Sequence, residues 1–250
     1  MKTKKFTRYI KIISLGVGLA CSLVIFYIAY NLINRDSFYP ENEHIFQVMD
    51  SYRTPEWSGT SVVISQPIAP AMMDDFPMVE YGTVVRHSGK VRFKTNKSLF
   101  EAKTSYVDSL FFKIFKRPFL IGNESQVLKR VNKAVVTKAF AEKIFGHIDV
   151  LGEIFILNGE RPIEIEAIIE DWPHNSSVQA EVLLSFETLR DEKRLYMGWN
   201  GGESFQGFVK LKSGADADKL TAAFPKFLRK YYDVDADAAN GFSVIINWYL

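Results

Sequence analysis

The chain has 250 residues, 47% of them hydrophobic and 24% charged, with a formal net charge of +2 and a mean hydropathy of −0.04. That length suits one domain or two modest ones with a sizeable core, and the composition excludes disordered, collagenous and disulfide-framework chains. A charge of +2 argues against a strong nucleic-acid binder.

Hydropathy is spread unevenly. Residues 12–34 form an uncharged run of 23, about 35 Å of helix against a hydrocarbon core of ~30 Å. Lys2, Lys4, Lys5, Arg8 and Lys11 precede it, and Arg35, Asp36, Glu41 and Glu43 follow it. The positive-inside rule then puts the N-terminus in the cytoplasm and everything after Asn34 outside, with Tyr27 and Tyr30 in the outer aromatic belt. A cleaved signal peptide is the competing reading. Yet the run is long, and its end, Tyr30 to Asn34, offers no small-x-small cleavage site. A lipid attached at Cys21 is a third reading, but Gly18-Leu19-Ala20 is a poor leader and more apolar residues follow. The retained membrane helix is therefore preferred. Ser14, Gly18 and Ser22 fall on one face, where another helix could approach closely. Cys21 is the only cysteine, so residues 35–250 fold without a disulfide. Setting aside the five N-terminal bases leaves 26 basic and 29 acidic residues, a mildly acidic remainder.

Residues 45–52 read as a strand. Residues 66–76 read as a helix, with Ser65 as N-cap, Pro67 in its first turn and Pro77 stopping it. Val79–His87 is a second strand, so residues 44–87 make a β-α-β unit. A hairpin follows over Val91–Val107, turning near Asn96-Lys97. Asp108 caps a short aromatic helix (Leu110, Phe111, Phe112, Ile114, Phe115). Thr137–Phe145 is a helix ended by Gly146. Glu153–Glu170 is a hairpin turning at Asn158-Gly159. In it Ile163, Ile165, Ala167 and Ile169 alternate with Glu164, Glu166, Ile168 and Glu170, giving one largely wet, acidic face. A second β-α-β plan closes the chain: strand Phe205–Lys212, helix Ala215–Tyr232 interrupted and kinked by Pro225, and strand Phe242–Trp248. The pattern predicts an α+β chain. One transmembrane helix (1–34) precedes an exported domain (35–250). In that domain a ferredoxin-like β-α-β pair (35–89 and 203–250) lies next to the membrane and carries an inserted mixed subdomain (90–202).

Motifs for chemistry are missing. The sequence has no phosphate-binding loop, nucleophile elbow, metalloprotease helix or dinucleotide fingerprint. His44, His87, His147 and His174 are scattered. The pairs Asp74-Asp75, Glu170-Asp171 and Asp191-Glu192 read as solvated surface, because adjacent side chains diverge. Gly198–Gly202, with Trp199 and Asn200, reads as an ordinary aromatic loop that could contact a ligand or partner. No catalytic, cofactor-binding or metal-binding residue is assigned, no cofactor is expected, and nothing argues for an enzyme.

Several stretches outside this chemistry carry a resemblance. They are Asp36, Phe38, Ile45, Phe46 and Val48 after the helix; Pro67, Pro70, Phe76, Pro77, Val79 and Glu80; and Val107, Asp108, Phe111, Phe112 and Phe115. Phe145, Gly146, Leu151 and Gly152 follow, then Asp171, Pro173, Asn175 and Ser176 within Asp171-Trp172-Pro173-His174-Asn175-Ser176-Ser177. In this order they resemble the N-terminal membrane helix and MacB-like periplasmic core domain of MacB/FtsX-type ABC transporter permeases. The resemblance implies a permease in the inner membrane that dimerises with a second copy and pairs with a cytoplasmic ABC ATPase. It passes ATP-driven motion to its periplasmic domain (mechanotransmission), for efflux, envelope-substrate release or envelope signalling. A periplasmic adaptor or envelope protein is a further possible partner, and no catalytic residue carries over. Permeases of this type continue into at least three more membrane helices, whereas the sequence to Leu250 holds one. The expectation is therefore a truncated chain, or transport machinery that lies elsewhere. The alternatives are a single-pass sensor or scaffold, motivated by the acidic hairpin and the Trp199 loop, and a soluble exported enzyme.

Overall fold

The computed structural model describes residues 2–54, 56, 58–96, 98–193, 195–199, 204–239 and 243–249. Its contacts divide it into two units: the stretch through Phe38 with Pro173–Val178, and Tyr39–Trp172 with the residues from Gln179 onward.

In the first unit the uncharged run folds as one helix, α1 (Lys2–Ile33). Its Lys11–Ile33 portion is long and apolar enough to cross a membrane. Its large side chains lie open on every side, Leu15 at 76% and Ile33 at 81% exposure. A helix that is apolar all round and unburied suits lipid rather than water.

The second unit begins β1 (Ile45–Arg53), β2 (Ser58–Ser61), α2 (Ile68–Asp75), β3 (Val79–Lys94), β4 (Leu99–Val107), α3 (Phe111–Ile114) and β5 (Phe119–Ile121). Next come β6 (Lys133–Thr137), α4 (Lys138–Phe145), β7 (Ile154–Leu157), β8 (Arg161–Ile169), β9 (Val182–Ser185) and α5 (Phe186–Glu192). The chain then adds β10 (Gln206–Leu211), α6 (Ala217–Tyr231), α7 (Val234–Ala239) and β11 (Ser243–Tyr249). The two β-α-β units are β1-α2-β3 and β10-α6-β11. Their strands lie side by side as β11-β1-β10-β3. Numbered in chain order this is 4-1-3-2, with every neighbouring pair antiparallel, the order of a ferredoxin-like sheet. The remaining strands extend the sheet as β4-β9-β6-β8-β5, with β7 beside β3 and β8. β3 runs unbroken through residues 89 and 90, with a bulge between His87 and Gly89. A strand, not a linker, thus carries the chain into the expected insert.

Close packing holds α2 on this sheet. A Cβ at Gly82 of β3 would sit 2.3 Å from the Ala69 carbonyl oxygen, so only glycine fits there. Phe76 packs on Phe224 and Phe227 of α6. In the insert Phe93, Phe100, Phe140 and Phe155 interlock beneath α4.

α2 is also tied to α6 by charge. Asp75 accepts from Lys230 Nζ at 2.6 Å and Tyr231 Oη at 3.1 Å. The Lys230 hydrogen bond, followed by that of Tyr231, holds its carboxyl below the ordinary value despite some desolvation. A depressed folded pKa stabilises above the unfolded value, about 3.9, and the contribution is lost as pH falls through the folded one. Asp75→Asn should therefore melt below the native chain at pH 7, and the gap should close in thermal scans below about pH 4.

Several sequence expectations change. Ser65 does not cap α2: the helix begins after Pro67, and Ser65 Oγ donates to the Trp199 carbonyl instead. The Glu153–Glu170 hairpin forms, with Asn158 and Gly159 both at positive φ (50° and 83°), and its acidic face stays half wet, Glu164 and Glu170 keeping 45% and 50% side-chain exposure. β8 is an interior strand, and each carboxylate finds a donor. Glu164 lies 2.6 Å from Lys133, Glu170 3.5 Å from Arg117, and Glu166 accepts the Leu128 N–H. Pro225 lies inside α6, which continues through it. The expected turn residue Lys97, the strand start Phe242 and the loop residues Asn200–Gly202 lie outside the described residues. β2, β5, β6, β9, α5 and α7 are elements the periodicity did not predict.

Candidate functional site

Two of the stretches that carry the resemblance, the one opening at Asp36 and the one around Asn175, meet at the end of α1. A helix ends with carbonyls that have no partner in the next turn, which is costly at a lipid boundary. Here the Asn34 N–H reaches the Tyr30 carbonyl at 3.0 Å and the Arg35 N–H that of Leu32 at 3.3 Å, and Asn34 Nδ2 adds a second donor to Tyr30 at 2.8 Å. Asp36 then takes φ 57°, a left-handed conformation that aspartate tolerates better than most residues, and the chain turns off the helix axis.

That turn exposes three polar groups, and Pro173–Val178 binds all three. The Asp36 N–H donates to the Asn175 carbonyl at 3.0 Å. Asn175 Nδ2 donates to the Asn34 carbonyl at 2.7 Å, and Asp36 Oδ1 accepts the Ser177 N–H at 2.7 Å. The segment keeps its own shape through Ser176, whose N–H reaches the Pro173 carbonyl and whose Oγ accepts from Val178 N–H. The result is a clasp: three hydrogen bonds, one with a carboxylate acceptor, fasten a distant loop to the last turn of the apolar helix.

The chain enters and leaves this clasp from well-anchored positions of the second unit. Before the loop, Trp172 Nε1 donates to the Ala180 carbonyl at 2.8 Å and so ties the loop's base. The same indole packs edge-on against Phe111 beneath the Arg117 guanidinium. Asp171 Oδ1 accepts the Ala139 N–H at the start of α4. After α1, Tyr39 is buried and packs edge-on against Phe115, centroids 5.3 Å apart. Phe111 and Phe115 touch each other, and Phe115 meets Phe208 of β10. Both exits from the clasp thus enter one aromatic hub built on α3.

Asp108 holds that hub in place. β4 ends at Val107, opposite Val85, and the Asp108 side chain continues the ladder where backbone would otherwise pair. Its Oδ2 accepts the Val84 N–H at 3.2 Å, and its Oδ1 accepts the Leu110 N–H at 2.9 Å and the Thr83 hydroxyl at 2.7 Å. Burial raises its carboxyl above the ordinary range, and the bonds from Thr83, Leu110, Val84 and Phe111 pull it back.

The other residues singled out in the sequence are placed apart. Glu170 and Asp171 diverge, one to Arg117 and the other to the start of α4; Asp75 turns to α6, and Asp191 pairs with Arg161 at 2.7 Å while lining one cleft with Glu192. His87 bridges Ser105 and Gln206. Trp199 stacks on Tyr231, centroids 3.9 Å apart, so its ring is packed against α6. A polar cleft of about 400 Å³ lies beside Asn158, Arg161 and Asp191, but Arg161 is engaged there by Asn132, Thr188 and Asp191. No cluster of metal-ligating side chains occurs among the described residues. Sequence reasoning missed Tyr39 and Trp172 as hub members and quoted the α3 phenylalanines without a role.

Comparison with known proteins agrees with this architecture. A family model described as the MacB-like periplasmic core domain matches residues 10–227. No curated protein sequence matches. Among solved structures, the chain is similar to a domain of a protein assigned as a permease from Porphyromonas gingivalis. The TM-score is 0.76 at 23% identity, covering 84% of this chain and 91% of that one. The periplasmic region of MacB from Actinobacillus actinomycetemcomitans aligns with TM-score 0.56 at 11% identity, over 81% and 88%. The extracellular domain of the noncanonic ABC-type transporter YknZ from Gram-positive bacteria aligns with TM-score 0.53 at 13% identity, over 80% and 99%. At these identities the structures establish a shared fold.

Proposed function

The chain belongs to the MacB-like periplasmic core domain family, and from that premise we propose that it is the exported module and first membrane helix of an ABC transporter permease. In this reading the N-terminus is cytoplasmic, α1 crosses the inner membrane and residues 35–250 are periplasmic. A cytoplasmic ATPase and a second permease copy drive α1, and the exported domain delivers the motion to an envelope substrate or partner. The observation that carries the reading is the clasp, which fastens the end of the candidate membrane helix to a loop whose base is anchored in the folded domain. The chemistry required is mechanical: α1 must move the domain without slipping, and short hydrogen bonds at the membrane surface resist slippage better than apolar contact.

The competing reading, a single-pass sensor, drew on the acidic hairpin and the Trp199 loop. Glu164, Glu166 and the Trp199 ring each have a partner within the chain, which weakens its motivation. The test is purification of the full-length membrane protein from its own cells. Co-purification of an ABC ATPase, together with cleavage of residues 35–250 by protease added outside the inner membrane, is the expected result. Isolation without an ATPase, or protection of residues 35–250, contradicts the reading.

A further inference from the structure

One face of the sheet carries chemistry that neither the clasp nor the transport reading uses. Along β3 and β4 alternate side chains point inward to Phe93 and Ala102, which are buried. The others point outward and are exposed: Lys90, Arg92 and Lys94 on β3, and Leu99, Glu101 and Lys103 on β4. Register sets Lys90 directly opposite Lys103, Arg92 opposite the one carboxylate of the face, Glu101, and Lys94 opposite Leu99, with β7 and its exposed Ile154 flanking β3. Like charges directly opposite on a sheet repel. Elsewhere basic side chains find carboxylates, as Lys133, Arg161, Lys210 and Lys230 do. Among the described residues none of these four β3 and β4 cations forms a salt bridge. Beside them Leu99 is 69% and Ile154 52% exposed, large values for aliphatic side chains on a folded sheet.

We infer that this face docks an acidic, aliphatic-bearing polypeptide segment of another exported protein. Four cations against the single carboxylate of Glu101 leave the face net positive, and charge complementarity then favours an acidic partner. A simple anion would answer the lysines and leave Leu99 and Ile154 in water. Outward positions on a strand repeat every ~6.8 Å, which is also the repeat along one face of an extended chain. A segment alternating carboxylate and aliphatic side chains therefore meets both features at once. The inference goes beyond the transport reading and stands or falls without it.

The test uses the full chain in phosphatidylcholine nanodiscs and a synthetic peptide alternating glutamate and valine. Binding should weaken with added salt. It should fall about tenfold in Lys90→Glu/Lys94→Glu and severalfold in Leu99→Ser/Ile154→Ser. Both pairs face solvent, so their melting temperatures should match the native chain. Polyglutamate of equal charge should bind about tenfold more weakly and ignore the Leu99 and Ile154 changes. Three results overturn the inference. They are equal binding by native and Lys90→Glu/Lys94→Glu chains, polyglutamate binding as tight as the alternating peptide, and a preference for phosphatidylglycerol vesicles over the peptide, which marks a lipid-facing surface.

Discussion

Opening the clasp should uncouple the exported domain from its membrane helix while leaving the domain folded. The variant Asp36→Ala/Asn175→Asp is expected to lose most ATP-driven movement of the exported domain. Alanine at residue 36 removes the carboxylate that accepts the Ser177 N–H and is disfavoured at φ 57° by about 1–2 kcal/mol. Aspartate at residue 175 replaces the amide that donates to the Asn34 carbonyl with an oxygen that repels it. A hydrogen bond to a charged group is worth about 1.5–3 kcal/mol and a neutral one about 1 kcal/mol. Together the two changes remove roughly 3 kcal/mol from the closed clasp, about a hundredfold in its population. Asp36→Asn keeps an acceptor oxygen and tolerates the left-handed conformation, so it should retain most of the movement. Because the clasp residues lie outside the second unit, that unit should melt as the native one does. A fall in melting temperature parallel to the fall in movement would mean that the substitutions act through stability.

The second large effect is on folding. Asp108→Ala should destabilise the second unit by about 3 kcal/mol, because it leaves two buried backbone N–H groups and a hydroxyl without acceptors at ~1–3 kcal/mol each, offset by relief of a buried carboxylate. For a domain of this size that is a fall in melting temperature of about 10 °C. The pH dependence has the opposite sign to that of Asp75. Burial raises the folded pKa of Asp108, so its contribution is fully present below the unfolded value, about 3.9, and is lost as pH rises through the folded one. The gap between native and Asp108→Ala should be widest in acid and narrow toward neutrality. The gap at Asp75 opens over the same range. Thermal scans of both variants between pH 3 and pH 7 separate the two mechanisms.

What could be read from the sequence followed the physics of each element. The long apolar helix was legible as a candidate membrane span because it holds an uncharged run of 23 residues, long enough to cross a bilayer. The ferredoxin-like strand order could be anticipated because two β-α-β units of equal plan flank an insert. β9, four residues all buried, and β6, buried from Ala134 on, show no alternation, so periodicity had nothing to detect. The acidic hairpin face was legible at Glu164 and Glu170, which stay about half exposed, but not at Glu166: alternation reports which residues point together, not what later folds over them. Glu166 is covered because the chain near Leu128 returns to it. The clasp was quoted in the sequence but could not be assembled there. Asn34 and Asn175 are 141 positions apart, and their bond joins a side chain to a backbone carbonyl, which no hydrophobic pattern encodes. Asp108 lay between these cases: it does not cap α3, whose N-cap is Leu110, but it accepts the Leu110 N–H just before the helix, and its reach to Thr83 and Val84 was not legible.

The most direct test of the proposed reading is the distance between spin labels at Arg35 and His174, in the lipid-embedded protein together with any ATPase that co-purifies with it, with and without ATP. A transmitting clasp predicts one short, narrow distance distribution in both states, while a second pair, at Arg35 and an exposed site of the cytoplasmic N-terminal segment in the partner copy, shifts with nucleotide. A 35–174 distance that lengthens or broadens on ATP addition would contradict the account, because the loop would then release the helix at the moment it should carry it.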